Sequence, residues 1–147
     1  MGADCLPLTL TIPSELRLLP VAREFAEGVC QAARLDPHVT TAIVIALHEA
    51  ISNVIRHAHR DQPQAQLQIQ CYLGCEHIEI QVLDEGEPFD LAAVPYLDPA
   101  ELRLGGRGVF LMRALMDEVS CRPRGQRGNV LRMVKRCRRN SGSGDGD

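Results

Sequence analysis

LQIQCYLG, residues 67–74, and HIEIQVLD, residues 77–84, decide the fold. In both stretches apolar and polar residues alternate with the period of two that marks a half-buried strand. Gly74, Cys75 and Glu76 join them, so the pair reads as an antiparallel hairpin. Upstream, LTLTI at 8–12 alternates in the same way. From Ser14 the period becomes helical: Leu16, Leu19, Ala22, Phe25, Ala26 and Val29 predict a first helix to about Leu35, with Ser14 as its cap. Asp36 followed by Pro37 is a helix-start signal, a capping carboxylate ahead of a proline whose missing N–H costs nothing in the first turn. A second helix is predicted from there to about His59. Downstream, GVFLMRALMDEV predicts a third helix, EVSCRP (118–123) a strand, Arg124–Gly128 a turn and NVLRMVKR (129–136) a last strand. Two helices in succession and two hairpins break the alternation that a doubly wound parallel sheet requires. The expected fold is therefore an α/β protein of the α+β two-layer kind, a mixed, mostly antiparallel sheet with helices on one face.

With 147 residues, 45% of them hydrophobic, the chain can bury about two-thirds of its unfolded surface without help from a metal or disulfide. No uninterrupted apolar run approaches the roughly 18 residues of a membrane span. The start, MGADCLPLTLTIPSEL, lacks a basic region ahead of its apolar stretch. A cytoplasmic location is expected. The six cysteines contain no CxxC pair and read as reduced thiols. Cys71 and Cys75 have strand spacing for one face, but no second ligand pair follows to complete a zinc site. The net charge of −3 hides an uneven distribution: half of the sixteen Lys and Arg residues fall after Ser120. Without tryptophan, and with 3% aromatic residues, this basic end lacks a recognisable nucleic-acid module. Residues 1–139 are expected to form one domain, and NSGSGDGD at 140–147 a disordered tail. The stretch 86–106, with Pro88, Pro95 and Pro99, is a loop of a length that usually has a function.

Three segments carry residues suited to chemistry. In HEAISN (48–53), Glu49 and Asn53 are one helical turn apart and can meet the same ligand. Ser and Asn are poor mid-helix residues. A carboxamide oxygen can ligate Mg²⁺, and a carboxylate one turn away can take a proton from a hydroxyl. In DEGEPF (84–89), Asp84 at a strand end can accept a hydrogen bond from an exocyclic amine, and Gly86 lets backbone pass close to a flat ring. In GGRGVFL (105–111), Gly105, Gly106 and Gly108 precede an apolar helix, whose start favours anions, and Arg107 can add a phosphate contact. Taken singly, each has an ordinary explanation: a polar helix face, an acidic turn, a hinge. The last is neither a Walker A loop nor a dinucleotide fingerprint. His48, His57 and His59 share one helix, but His57 and His59 point in different directions, against a shared metal. No HExxH and no local Ser-His-Asp motif occurs.

In order and spacing the three segments resemble the N, G1 and G2 boxes of the Bergerat-fold (GHKL) ATPases. Within that superfamily they look most like the bacterial anti-sigma-factor serine/threonine kinases. The resemblance spans about residues 8–137. It implies Glu49 as catalytic base, Asn53 as Mg²⁺ ligand with His57 beside it, and Asp84, Gly86 and Phe89 at adenine. It also implies Gly105, Gly106, Arg107, Gly108 and Val109 at the phosphates, with ATP and Mg²⁺ as cofactors. The implied partners are a sigma factor and an anti-anti-sigma protein of the STAS type; no direct nucleic acid or membrane is implied, and a homodimer is left open. The transducer domain of a topoisomerase or chaperone, and the dimerisation helices of a histidine kinase, do not fit in this length. A nucleotide-responsive binding module without kinase activity and a detached histidine-kinase catalytic domain are the alternatives. Where the family commonly has threonine after the glycine of the last hairpin, this chain has Asn129, so no phosphate contact is carried over there. No motif maps onto 91–104.

Overall fold

The computed structural model describes residues 7–60, 62–91 and 107–137. Five strands form one sheet: β1 (Leu8–Pro13), β2 (Gln66–Leu73), β3 (His77–Asp84), β4 (Glu118–Pro123) and β5 (Asn129–Arg136), in the spatial order β1-β2-β3-β5-β4. All four pairings are antiparallel, so among the described residues the sheet is purely rather than mostly antiparallel. The expected hairpin is β2–β3, closed where the Gly74 N–H donates to the His77 carbonyl at 2.9 Å.

The period of two sorts the sheet into two faces. Ile12, Leu67, Ile69, Cys71, Ile78, Ile80, Val82, Leu131 and Met133 point one way and join the buried helix residues in a single core. Each such aliphatic side chain contributes roughly 1.5–3 kcal/mol on burial. The opposite face carries Gln68, Gln70, Tyr72, Glu79, Gln81 and Arg132, which bond along it; Arg132 Nε, for example, donates to Glu79 Oε1 at 2.7 Å.

Three helices cover the apolar face: α1 (Leu19–Ala32), α2 (Pro37–Asn53) and α3 (Arg107–Leu115), with α2 packed between the other two. Asp36 caps α2 as its sequence predicts, its Oδ1 accepting from the His38 N–H at 2.9 Å. Ser14 does not cap α1. A 3-10 turn at Leu16–Leu18 intervenes, α1 starts at Leu19 with Pro20 in its first turn, and the Ser14 hydroxyl is committed to His59 instead. The third helix stops at Leu115, because Met116 and Asp117 turn the chain into β4.

The second helix departs from regular geometry where the site begins. After Asn53 the turn Val54–Ala58 is π-helical, with His59 N–H reaching the Val54 carbonyl at 2.8 Å. Such wide turns are rare and concentrate at functional sites. Arg60, at a left-handed φ of 43°, ends the helix. Together Pro37–Ala58 is 22 residues long and contains an 18-residue window of mean hydropathy 1.3, long and apolar enough to cross a membrane by length and composition. Here Ile43, Leu47 and Ile51 are fully buried in the core, which accounts for that apolarity.

Candidate functional site

Between α2 with its π turn, the start of α3, and the ends of β3, β4 and β5 lies a cavity of about 190 Å³. Its walls are largely apolar: Ala50, Val54 and Ala58 from the helix, Val109 and Met112 from α3, Leu131 from β5. Asn53, His57, Asp84 and Asn129 supply polar groups. An apolar slot with a few fixed polar atoms is the usual form of a small-molecule site.

At one end α3 approaches α2 unusually closely. A Cβ placed on Gly108 would lie 3.0 Å from Glu49 Oε2, 3.2 Å from Asn53 Nδ2 and 3.3 Å from Asn53 Oδ1. Both side chains thus end within 3.3 Å of the space that a side chain at Gly108 would occupy. Glu49 is half-buried just outside the cavity and Asn53 lines it. Arg107 stands exposed at the first described residue of α3 and Val109 is buried against the cavity. Gly105 and Gly106 lie outside the described residues.

At the other end the chain leaving β3 is fastened on every side. Register places Asp84 opposite Asn129, and both are 3% exposed. Asp84 Oδ1 accepts from the Gly86 N–H at 2.8 Å and from Asn129 Nδ2 at 3.0 Å. Asn129 Nδ2 also donates to the Glu87 carbonyl at 2.7 Å, and Asn129 Oδ1 accepts from the Phe89 N–H at 2.9 Å. The helix end leaves carbonyls without intrahelical donors, and that of Ala58 takes the Glu87 N–H at 3.0 Å. Only glycine at position 86 lets the chain come this close, since a Cβ there would sit 2.2 Å from the Ala58 oxygen. Phe89, 41% exposed, stands at the rim, and Arg113 Nη2 holds the Leu91 carbonyl at 2.9 Å just beyond it.

Two groups that the sequence reading did not assign to the site also belong here. His59 is buried, with Nδ1 2.8 Å from Ser14 Oγ and Nε2 3.2 Å from the Glu85 N–H. A backbone N–H can only donate, so Nε2 is the acceptor and Nδ1 carries the proton. Burial holds its pKa below the ordinary 6.5, against the charges of Asp84 and Glu85 and helped by Arg127. Cys121 lines the cavity, and burial, with the charges of Asp84 and Asp90 added, pushes its thiol up to about 11. His48 stays outside this set; its Nδ1 is buried without a hydrogen-bond partner among the described residues. Nor do Cys71 and Cys75 make a metal pair: Cys71 is buried in β2, Cys75 is exposed in the turn, and no metal-ligating cluster occurs among the described residues.

Residues 12–135 match the family described as the histidine kinase-like ATPase domain. The chain belongs to that family. Similar family members include the serine-protein kinase RsbW of Oceanobacillus iheyensis, 34% identical over 120 residues and covering 76% of each chain. The serine-protein kinase RsbW of Staphylococcus epidermidis is 30% identical over 122 residues, 77% of each chain. In three dimensions the chain resembles the SiaB–SiaC complex structure from Pseudomonas aeruginosa, with a TM-score of 0.67 at 15% identity over 86% of this chain and 88% of that one. It also resembles the RsbU and RsbW domains of Rv1364c from Mycobacterium tuberculosis, with a TM-score of 0.64 at 17% identity, over 90% of this chain and 32% of that longer one. These two likenesses bear on the fold, the antiparallel sheet with its layer of helices. Within this family frame, Asn129 binds the segment after β3 rather than the start of α3, so it belongs to the Asp84 end of the cavity.

Proposed function

We propose that the chain is an ATP- and Mg²⁺-dependent serine kinase that phosphorylates an anti-anti-sigma protein and sequesters a sigma factor. Its relatives of 30–34% identity are named serine-protein kinases, and one structural neighbour is a SiaB–SiaC complex. The observation that carries the reading is that Glu49 and Asn53 both end close to Gly108, beside a cavity that Asp84 also lines. We assign residues 1–139 to one catalytic domain working in the cytoplasm, where ATP is available and free thiols such as Cys75 stay reduced.

The carboxamide oxygen of Asn53 is a hard donor of the kind that Mg²⁺ takes, and Glu49 ends near it, both within 3.3 Å of the space that a Cβ at Gly108 would fill. Asn53, through Oδ1, would hold Mg²⁺, which when bound offsets negative charge on the phosphates. One oxygen of Asp84 is occupied by Gly86 and Asn129; the second is left to accept an N–H from the base. Val54, Ala58, Val109 and Met112 enclose that base and exclude water from it. The start of α3 at Arg107 and Gly108 offers backbone N–H groups and a partial positive charge to the phosphates. Glu49 takes the proton of the acceptor serine hydroxyl as its oxygen bonds to phosphorus and ADP leaves. Catalysis on this reading is mainly positioning and electrostatic stabilisation.

The test is a single-turnover assay with γ-labelled ATP and an anti-anti-sigma acceptor. Acid-stable phosphoserine on the acceptor is the expected product, whereas acid-labile phosphohistidine, or binding without transfer, would refute the serine-kinase reading. In the same assay Asn53→Ala abolishes Mg·ATP binding, and Glu49→Ala keeps nucleotide but loses transfer. Unchanged calorimetric affinity of the first, or full activity of the second, would remove the corresponding role.

A further inference from the structure

The segment from Glu85 to Phe89 runs past the Asp84 end of the cavity, which Glu87, Pro88 and Phe89 line, and its N–H groups are held one by one. Gly86 is held by Asp84, Glu87 by Ala58 and Phe89 by Asn129. The remaining fastening, at Glu85, is made to a histidine ring. That ring stands at the tip of the π turn and bridges two distant parts of the chain, Ser14 after β1 and Glu85 after β3. We propose that His59 is a positioning residue for nucleotide binding: its neutral ring ties Glu85 to Ser14 and so holds the segment whose Glu87, Pro88 and Phe89 wall the cavity where a base can lie. This rests on the nucleotide reading given above.

Geometry makes the tie depend on the ring's protonation. The Glu85 N–H requires an acceptor at Nε2, and an imidazolium has none, because both of its nitrogens donate. Protonation sets two donors against each other 3.2 Å apart and releases the wall. The charged groups facing the ring are Asp84 and Glu85, which favour the imidazolium, and Arg127, which opposes it; burial outweighs the two carboxylates. Protons can reach the ring although it is 3% exposed. Behind the wall lies a second cavity of about 470 Å³, lined by His59, Gln62, Gln64, Glu85, Gly86 and Arg127. Arg127 Nε donates to the Glu85 carbonyl at 3.0 Å across it, so the wall is held from both sides.

Calorimetric titration of the whole chain with Mg·ATP at about pH 8 and at the lowest pH below the ordinary histidine range at which the chain stays folded tests the proposal in three proteins. The wild type binds more weakly at the lower pH. His59→Gln, whose Oε1 can accept the Glu85 N–H without titrating, binds within about twofold of wild type at the higher pH and lacks the part of the pH dependence that His59 supplies. His59→Phe keeps the ring volume without an acceptor and binds roughly five- to tenfold more weakly at both pH values, the loss of about one hydrogen bond. Wild-type affinity in His59→Phe, or a full wild-type pH dependence in His59→Gln, overturns the proposal. If the phenylalanine variant fails to fold, the pH dependence of the glutamine variant decides alone. A wild-type chain that binds no Mg·ATP at either pH overturns the nucleotide reading itself, a result distinct from binding that is indifferent to His59.

Discussion

Removing the Asn129 side chain should weaken the protein and its nucleotide site together, by an amount that follows from the bonds it makes. One goes to the buried carboxylate of Asp84, and two go to backbone groups of Glu87 and Phe89. A hydrogen bond to a charged group contributes about 1.5–3 kcal/mol net, and a neutral one about 1 kcal/mol. Glu87 and Phe89 are exposed residues, so water recovers part of their loss, while Asp84 is 3% exposed and recovers little. The expected cost of Asn129→Ala is about 2–3 kcal/mol in chemical denaturation, or roughly 6–10 °C in Tm for a chain of this size. Asn129→Thr, whose hydroxyl can keep one bond to Asp84, should cost about 1–2 kcal/mol. Asn129→Asp keeps the acceptor for the Phe89 N–H but sets two carboxylates side by side, so it is the least stable of the three at neutral pH and recovers as the pH falls. Denaturation midpoints paired with calorimetric ATP affinity would check all three. An Asn129→Ala protein within about 0.5 kcal/mol of wild type, a change typical of an ordinary surface site, would refute the idea that this amide orders the wall.

Three further outcomes follow from the same geometry. Gly86→Ala should cost about 2–3 kcal/mol or displace the loop, because its Cβ would overlap the Ala58 carbonyl at 2.2 Å; full stability with unchanged ATP affinity would contradict the close approach. Since the His59 pKa is lowered on folding, the unfolded chain binds its proton more tightly. The stability His59 contributes is therefore fully present above about pH 6.5, and is lost as the pH falls from there towards the lowered native value; the difference in unfolding free energy between wild type and His59→Gln, followed across that range, measures it. Among the described cysteines, thiol labelling should mark Cys75 first, Cys121 slowly because its pKa stands near 11, and Cys30 and Cys71 only on unfolding. Mg·ATP should slow the labelling of Cys121, and an unaffected rate would argue against nucleotide filling the cavity it lines.

Much of the architecture was legible because it rests on local periodicity. The alternation in 67–84 specifies both strands and the turn between them, and Asp36–Pro37 marks a helix start by chemistry that acts within a few residues. The expectations that failed were also local, but were overridden by distant partners. Ser14 has the chemistry of a cap, yet Pro20 moved the helix start and His59, 45 positions away, took the hydroxyl. Of the candidate site, Glu49 and Asn53 could be paired from helical spacing alone, and Asp84 with Gly86 from the acidic turn. The tie to Asn129 could not be read, since only the β3–β5 register sets it opposite Asp84, and the wall residues Met112, Cys121 and Leu131 carry no mark that separates them from ordinary core.

By itself the sequence determined which residues could do chemistry and which segments would be strand or helix, because side-chain type and short-range periodicity are properties of neighbours along the chain. Only the tertiary structure decided that these residues stand around one cavity. The π turn offers the Ala58 carbonyl to the wall, Gly108 lets α3 close on Glu49 and Asn53, and strand register joins Asp84 to Asn129. Each is a contact between residues 28 to 59 positions apart or made possible by one, and such contacts exist only once burial of the shared core has brought the elements together.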